Sequence, residues 1–139
     1  RKKFLRIIRQ DKEILAWIVA DKFRPLHSKE FFFFQQYYCS NLNGYNAVKA
    51  LILLHDELLR EASKKGLNYV ISGCRFDDTS FRLARILEKV GWSRMGAQAV
   101  AHVPTLLREL EMSRDGQSGS WRSLGRGALG KVSARTRVP

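Results

Sequence analysis

A short polar loop is the part of this sequence whose residue types and spacing are best suited to chemistry. The loop spans residues 40–44 (SNLNG) and separates an aromatic, β-prone run from an amphipathic stretch that starts at Tyr45. A helix that begins after such a loop presents unpaired backbone N–H groups and the positive end of its dipole. Phosphate groups bind readily to this arrangement. The sequence therefore predicts an anion site at the start of the helix.

The other reactive side chains give weaker signals. Cys39 and Cys74 are the two cysteines, which is too few for a disulfide framework and fits a reducing compartment. We expect both to be free thiols near strand ends. No His–Asp pair in a recognisable context supports Cys39 as a nucleophile, so we interpret it as an inert thiol. His55 lies on an apolar helix stripe and is predicted to be a packed core histidine.

The order of elements predicts an α/β fold with a mixed sheet. Residues 3–9 and 14–20 read as a β-hairpin, and the second of these strands is apolar enough to be central and covered on both faces. A strand near 31–39, a helix over 45–65 and a strand near 67–72 form a βαβ unit, so the two strands should be parallel. A second helix near 80–90, a final strand near 95–103 and a short helix over 105–111 follow.

The long helix has recognisable ends and an apolar stripe. Asn43 is a plausible N-cap, and Gly66 supplies the left-handed residue that follows the last turn. The stripe has spacings of three and four and consists of Val48, Leu51, Leu54, His55, Leu58 and Ala62. Four charged residues fall largely away from it: Lys49, Asp56, Arg60 and Lys64.

The charge is strongly positive, with 25 basic and 13 acidic residues, a formal net charge of +12. This balance favours polyanionic partners, either nucleic acid or an acidic protein surface. From residue 112 the composition changes to Gly, Ser and Arg. We therefore divide the chain into a domain over 1–111 and a basic arm over 112–139 that docks on a protein partner. No apolar run approaches the ~20 residues of a membrane helix, so we expect no membrane partner.

The element order resembles the GNAT superfamily of acyl-CoA N-acyltransferases over about Phe4 to Val103. In that superfamily the loop before the long helix carries Gln or Arg, two residues, Gly, one residue, and Gly or Ala. The matching segment here is 41–47, in which Gly44 fits, Asn41 replaces Gln or Arg, and Asn46 replaces the second small residue. The resemblance implies that acetyl-CoA is the cosubstrate, with its pyrophosphate on the amides of this loop.

The resemblance also implies the remaining site residues. Amides near Cys39 and Ser40 would polarise the thioester carbonyl, and the full coenzyme-binding set is Cys39, Ser40, Asn41, Asn43, Gly44, Tyr45, Asn46 and Ala47. Many members place a tyrosine in the second helix as the acid for the leaving thiolate, and Leu87 stands there. The candidate catalytic residues are Glu30, His27 and Tyr38. We identify no metal ligands.

Three functions remain open from the sequence. The first is an acyl-CoA-dependent N-acyltransferase in the cytoplasm. The second is a non-catalytic GNAT-like structural or assembly subunit, for example of a phage virion, whose basic arm docks on a partner. The third is a nucleic-acid-binding protein, suggested by charge alone. No G-x-G-x-x-G motif opens the helix, which excludes a dinucleotide-binding fingerprint.

Overall fold

The structure is a computed structural model that describes residues 3–73, 78–95, 98–114 and 132–135. Within these residues, seven strands form one mixed sheet against which three helices pack. In chain order the elements are β1 (Phe4–Gln10), β2 (Glu13–Phe23), β3 (Phe32–Ser40), α1 (Gly44–Lys64), β4 (Tyr69–Ser72), α2 (Asp78–Lys89), β5 (Ser93–Met95), β6 (Gln98–His102), α3 (Val103–Arg114) and β7 (Val132–Arg135). The strand order across the sheet is β5-β6-β4-β3-β2-β1-β7.

The two strands that flank α1 are parallel neighbours. Phe33 pairs with Val70 and Phe34 with Ile71, so the predicted βαβ unit is confirmed. β1 and β2 form the predicted antiparallel hairpin. The other strand pairs of the described residues are antiparallel as well. The fold is therefore α/β, with a sheet that is mostly antiparallel.

The strand predicted near 95–103 is present as β6, but it is shorter than predicted, and Met95 belongs to a separate strand. β5 and β6 are separate strands that pair antiparallel, with Ser93 opposite Val100 and Met95 opposite Gln98. The chain therefore reverses direction between them. Pro104 ends β6 as expected and lies in the first turn of α3, where a residue without an N–H group is tolerated.

The basic segment at the end of the chain contributes to the domain's own sheet. α3 already includes residues up to Arg114, and β7 pairs antiparallel with β1, from Leu5 opposite Arg135 to Ile8 opposite Val132. An edge strand offers unpaired backbone groups, and β7 satisfies those on the outer edge of β1. Residues 115–131 and 136–139 of the predicted arm lie outside the described residues, and a partner for them remains a prediction.

The helix α1 buries a wider face than its apolar stripe predicts. Leu51, Leu54 and Leu58 are buried as expected, but Asp56 is only 4% exposed. The reason is that α3 packs against a second side of α1. At the end of α1, Gly66 has the predicted positive φ of 70°, and the N–H of Leu67 donates to the Ala62 carbonyl at 2.9 Å.

All three helices lie on one face of the sheet. α1 contacts both α2 and α3, and residues of the three helices share a single apolar core with β1 to β4. β2 is central in the sheet, as predicted, but no described helix covers its second face. On that face Phe23 lies opposite Phe32, whose ring stacks on Tyr69 with centroids 5.1 Å apart. Alternating residues of β2 are nevertheless buried on both faces, for example Ile18 on one face and Val19 on the other, so the prediction that this strand is covered on both faces is confirmed.

A buried ion pair attaches the first strand to the long helix. Arg6 is 7% exposed, and its Nη2 lies 3.2 Å from Oε2 of Glu61. The guanidinium carbon also lies 4.3 Å from the centroid of the Phe4 ring. Removing one member of a buried pair leaves the other charge without compensation.

We expect Arg6→Met to lower the free energy of unfolding by about 3 kcal/mol, because it leaves the Glu61 carboxylate uncompensated. The matched control is Arg60→Met, since Arg60 pairs with Glu57 at 3.2 Å on the half-exposed side of the same helix. That change should cost less than about 1 kcal/mol. Urea unfolding of both variants measures the difference, and equal losses would contradict the role of the buried pair.

Candidate functional site

The parallel strands β3 and β4 pair over a short length, with Phe33 opposite Val70 and Phe34 opposite Ile71. β4 ends at Ser72, whereas β3 continues to Ser40. Past the paired residues, the Gln35 side chain replaces the backbone ladder. Its Oε1 accepts hydrogen bonds from the Gly73 N–H at 3.1 Å and from the Ser72 hydroxyl at 3.0 Å. The carboxyl ends of the two strands are thus joined by a side chain, and beyond this point no described strand pairs with β3 on the β4 side. We call this side of β3 the gap.

A β-bulge sets which backbone groups of β3 face this gap. Ala20 lies opposite Gln35 and Val19 opposite Tyr37, so one extra residue is inserted in β3. The Asn41 N–H donates to the Leu15 carbonyl at 2.8 Å. Backbone groups point alternately to the two sides of a strand.

It follows that Cys39 directs its N–H toward β2, whereas Tyr38 and Ser40 direct theirs toward the β4 side. Among the amides near Cys39 and Ser40, for which the sequence predicts a carbonyl-polarising role, those of Tyr38 and Ser40 point to the β4 side, because Cys39 forms part of the ladder with β2. The role itself remains a prediction.

A buried polar network lies beneath the gap, on the helix side of the sheet. His55 is 1% exposed, with Nδ1 2.8 Å from the Leu51 carbonyl oxygen and Nε2 2.8 Å from Ser72 Oγ. Ser72 in turn contacts Gln35. The network continues from Gly73, whose carbonyl accepts from Gln98 Nε2 at 3.0 Å. Side chains from α1, β3, β4 and β6 are therefore connected in one chain of hydrogen bonds.

Two aromatic rings enclose the imidazole of His55. The Tyr38 centroid lies 5.8 Å away and the Trp92 centroid 5.5 Å away, the latter with its edge to the ring. Burial lowers the pKa of His55 to about 4, so the imidazole is neutral at physiological pH. Burial also raises the pKa of Tyr38 above its ordinary range, which keeps its hydroxyl protonated. Tyr38 Oη and Trp92 Nε1 are buried without a hydrogen-bond partner among the described residues.

Within the described residues, the N-cap side chain does not satisfy the first amides of α1. Asn43 has the extended backbone of an N-cap, but its side chain makes no capping hydrogen bond. Gly44 has φ +56°, and nothing lies within 4 Å of the place where a Cβ would stand. Asn41 holds the loop to β2 through a 3.1 Å bond from Nδ2 to the Ile14 carbonyl. The Lys49 ammonium lies 4.5 Å from the centroid of the exposed Tyr45 ring, beside the same turn.

The structure brings together most of the sequence-predicted coenzyme residues. Continuity of the chain places residues 39–47 at the carboxyl end of β3, where Asn41, Asn43, Tyr45 and Asn46 are exposed and Ala47 is half-buried. Cys39 is a free, exposed thiol. Cys74 lies outside the described residues.

Two candidate catalytic residues lie away from this site. Glu30 and His27 precede β3, and Glu30 contacts Asn68 Nδ2 at 3.4 Å, before the start of β4. The length of β3 separates them from Ser40 by about 25 Å. Tyr38, in contrast, lines the gap, and Leu87 is packed in the core at 1% exposure. Of the three candidates, only Tyr38 belongs to the same part of the molecule as the loop.

Sequence reasoning missed Gln35 and Ser72. Both are polar residues inside apolar strands, and both are buried, at 3% exposure each. A buried polar side chain in a strand needs a hydrogen-bond partner, which was the available signal. The identity of that partner depends on the strand register and on α1, and neither is visible locally.

Comparison with known proteins gives no family assignment. No protein-family model matches the chain, and no curated protein matches it.

In the part of the chain that the structure describes, no helix is long and apolar enough to cross a membrane. The same residues include no cluster of three or more His, Cys, Asp or Glu that could hold a metal ion.

The burial of His55 predicts a pH dependence of stability. Its pKa is about 4 in the folded protein against 6.5 for the free side chain. Between these values the unfolded chain binds a proton that the folded protein does not bind. The folded state therefore loses about 3 kcal/mol as the pH falls through this window, and no more below it.

The measurement is urea unfolding at about pH 7 and about pH 4.5, compared between wild type and His55→Gln. The variant should lose less stability on acidification than the wild type does. His102→Gln is the control, because His102 is exposed and its imidazole contacts the Thr105 hydroxyl and the Tyr69 ring at the surface. It should keep the wild-type pH response. An unchanged response in His55→Gln would show that this residue is not the source.

Proposed function

We propose that this chain is an acyl-CoA-dependent N-acyltransferase domain of the GNAT type. The observation that carries the proposal is the gap beyond the short pairing of the parallel strands β3 and β4, directly beside the N-terminus of α1. In that superfamily the separated strand ends admit the pantetheine arm, and the adjacent loop holds the pyrophosphate. Both features are present here in the corresponding order along the chain.

The loop over residues 41–47 would receive the pyrophosphate. Its amides lack a side-chain cap, and the positive end of the α1 dipole adds to their attraction for an anion. Lys49 supplies a full positive charge one turn into the helix, and it would reach a phosphate by leaving the Tyr45 ring. Asn41 stabilises the loop through β2, which accounts for a residue other than Gln or Arg at this motif position.

The thioester carbonyl would lie at the edge of β3. The amides of Tyr38 and Ser40 point toward the gap, where a donor stabilises the negative charge that develops on the carbonyl oxygen. An attacking amine then reaches the carbonyl carbon from the gap itself. Transfer of an acyl group from coenzyme A to an amine is the reaction that this arrangement supports.

A non-catalytic GNAT-like subunit is the second candidate. The observation that favours it is Leu87, which is packed in the core at the position where many members have a proton-donating tyrosine. Tyr45 and Asn46 also place larger side chains in the loop than the motif does. A subunit of this kind would keep the fold without binding the coenzyme.

Calorimetric titration with acetyl-CoA, and the variants Gly44→Glu and Gly66→Glu, decide between the two. Both glycines have positive φ and open space around the missing Cβ, at opposite ends of α1. The two changes should therefore cost similar stability, and only Gly44→Glu adds a negative charge at the phosphate site. Losing two charge-assisted bonds of about 1.5–3 kcal/mol each should weaken binding roughly a hundredfold or more.

Gly66→Glu should bind acetyl-CoA like the wild type. If both variants bind equally, the pyrophosphate does not lie on this loop. If the wild type produces no heat even at roughly millimolar acetyl-CoA, a level that detects dissociation constants of that order, the non-catalytic subunit is the correct function.

A further inference from the structure

A hydrogen-bonded group of Ser72, His55 and Gln35 lies beneath the gap, on the helix side of the sheet, and it takes no part in the anion site. We propose that this group is the proton acceptor of the transfer reaction, with Ser72 touching the attacking amine and His55 holding the proton. This inference rests on the proposed function. It supplies a base that the acidic residues of the strands do not provide.

The hydrogen bonds of the group fix the form of the imidazole. The Leu51 carbonyl can only accept, so the ring hydrogen lies on Nδ1, 2.8 Å away. The other nitrogen, Nε2, then presents its lone pair to Ser72 Oγ at 2.8 Å. A base that is oriented by a third group and aimed at a hydroxyl is the arrangement that activates that hydroxyl.

The group holds one hydrogen fewer than its contacts require. Three contacts join the Leu51 oxygen, the two ring nitrogens, Ser72 Oγ and Gln35 Oε1. The Gln35 oxygen is fixed as an acceptor, because the Gly73 N–H can only donate to it. A neutral imidazole and one hydroxyl supply two hydrogens for these three contacts.

One added proton satisfies all of them. Nδ1–H then donates to Leu51, Nε2–H donates to Ser72, and the Ser72 hydroxyl turns to Gln35. The hydrogen-bond geometry of the group therefore fits its protonated form. Burial opposes that charge, so the ring stays neutral until a sufficiently acidic proton donor contacts the group. An amine nitrogen that has begun to bond to a thioester carbonyl is such an acid.

The reaction balances without another reagent. The amine nitrogen bonds to the carbonyl carbon, its proton passes to Ser72 Oγ, and the Ser72 proton passes to His55 Nε2. The carbon–sulfur bond then breaks. The proton returns from His55 through Ser72 to the thiolate. The same group therefore acts as the proton donor to the leaving thiolate, a role that the apolar Leu87 side chain cannot fill.

The distances along β3 permit this sequence. Gln35 lies opposite Ala20 and Tyr38 opposite Ile18, so the Tyr38 amide is about 7 Å further along the strand than the Gln35 level. A thioester carbonyl that accepts a hydrogen bond from the Tyr38 amide, and an amine that contacts Ser72 Oγ, fit together within this span. The amine must displace part of the cover over Ser72, which is 3% exposed in this state.

The described hydrogen-bond and ring partners of His55 carry no charge. The groups that face it from other elements are Tyr38 and Gln35 on β3, Ser72 on β4, and Trp92. On α1, Asp56 is adjacent in sequence and buried. Farther along α1, the acidic residues Glu57 and Glu61 are paired with Arg6 of β1. A charge introduced at Gln35 should therefore dominate the titration of the ring.

The first test is nitrogen-15 NMR of the imidazole rings of the labelled protein, with His55 assigned by its absence in His55→Gln. We expect the Nδ1–H tautomer at neutral pH and a pKa below the ordinary value. Gln35→Glu places a carboxylate against Ser72 and should raise that pKa, whereas Gln35→Met should not. An Nε2–H tautomer, or equal titration in the two Gln35 variants, overturns the proposal.

The second test is acetyl transfer to a panel of primary amines. Ser72→Ala and His55→Gln should lower kcat by about 10²–10⁴-fold while the calorimetric affinity for acetyl-CoA stays unchanged. His102→Gln should keep full activity, and Gln35→Glu should shift the acidic limb of the rate profile to higher pH, which a structural role would not do.

The outcomes separate the two proposals. Wild-type turnover in Ser72→Ala, with acetyl-CoA bound normally, overturns the proton acceptor and leaves the acyltransferase function standing. A wild-type protein that binds no acetyl-CoA overturns the function and, with it, the catalytic role of Ser72. Loss of kcat at constant affinity, together with the pH shift, supports both.

Discussion

The fold of the site depends on one amide oxygen, Oε1 of Gln35. It accepts the hydrogen bonds of Gly73 and Ser72 at the level where the next pair of a parallel ladder would form. Without it, the buried Gly73 N–H would lose its acceptor, at a cost of about 1–3 kcal/mol. The side chain therefore joins two strands that no longer pair through their backbones, and the gap beyond it is stable for that reason.

The bulge in β3 belongs to the same constraint. Inserting one residue after Gln35 changes which backbone groups point toward β4, and it returns the Tyr38 side chain to the helix face beside His55. The bulge in β3 thereby has two effects. Its inner amides become available along the gap, and its aromatic ring closes the apolar side of the polar network.

The candidate site uses dipoles more than charges. Beside the loop before α1, the ammonium of Lys49 lies on the Tyr45 ring. The hydrogen-bonded group at His55 is neutral at physiological pH because burial opposes its charging. The net charge of +12 favours encounter with polyanions.

Sequence reasoning succeeded where a feature is determined locally. The helix α1, its Gly66 terminus and the parallel strands around it follow from periodicity, a glycine and the βαβ connection rule. It failed where distant segments decide. Asp56 is buried because α3 covers it, β5 and β6 reverse over a two-residue gap, and Gln35 finds its partners on β4. His55 was placed correctly in the core, but its contact with Ser72 depends on the sheet register.

The pairing of β1 with β7 has a consequence for biosynthesis. Leu5 pairs with Arg135, which is synthesised about 130 residues later. The outer edge of β1 therefore has no described ladder partner until Arg135 has left the ribosome. An open edge can pair with the edge of another nascent chain. Translation on crowded polysomes is therefore the stage at which this domain is most exposed to misassembly, and arrest of synthesis before β7 would leave β1 as a template for strand exchange between copies.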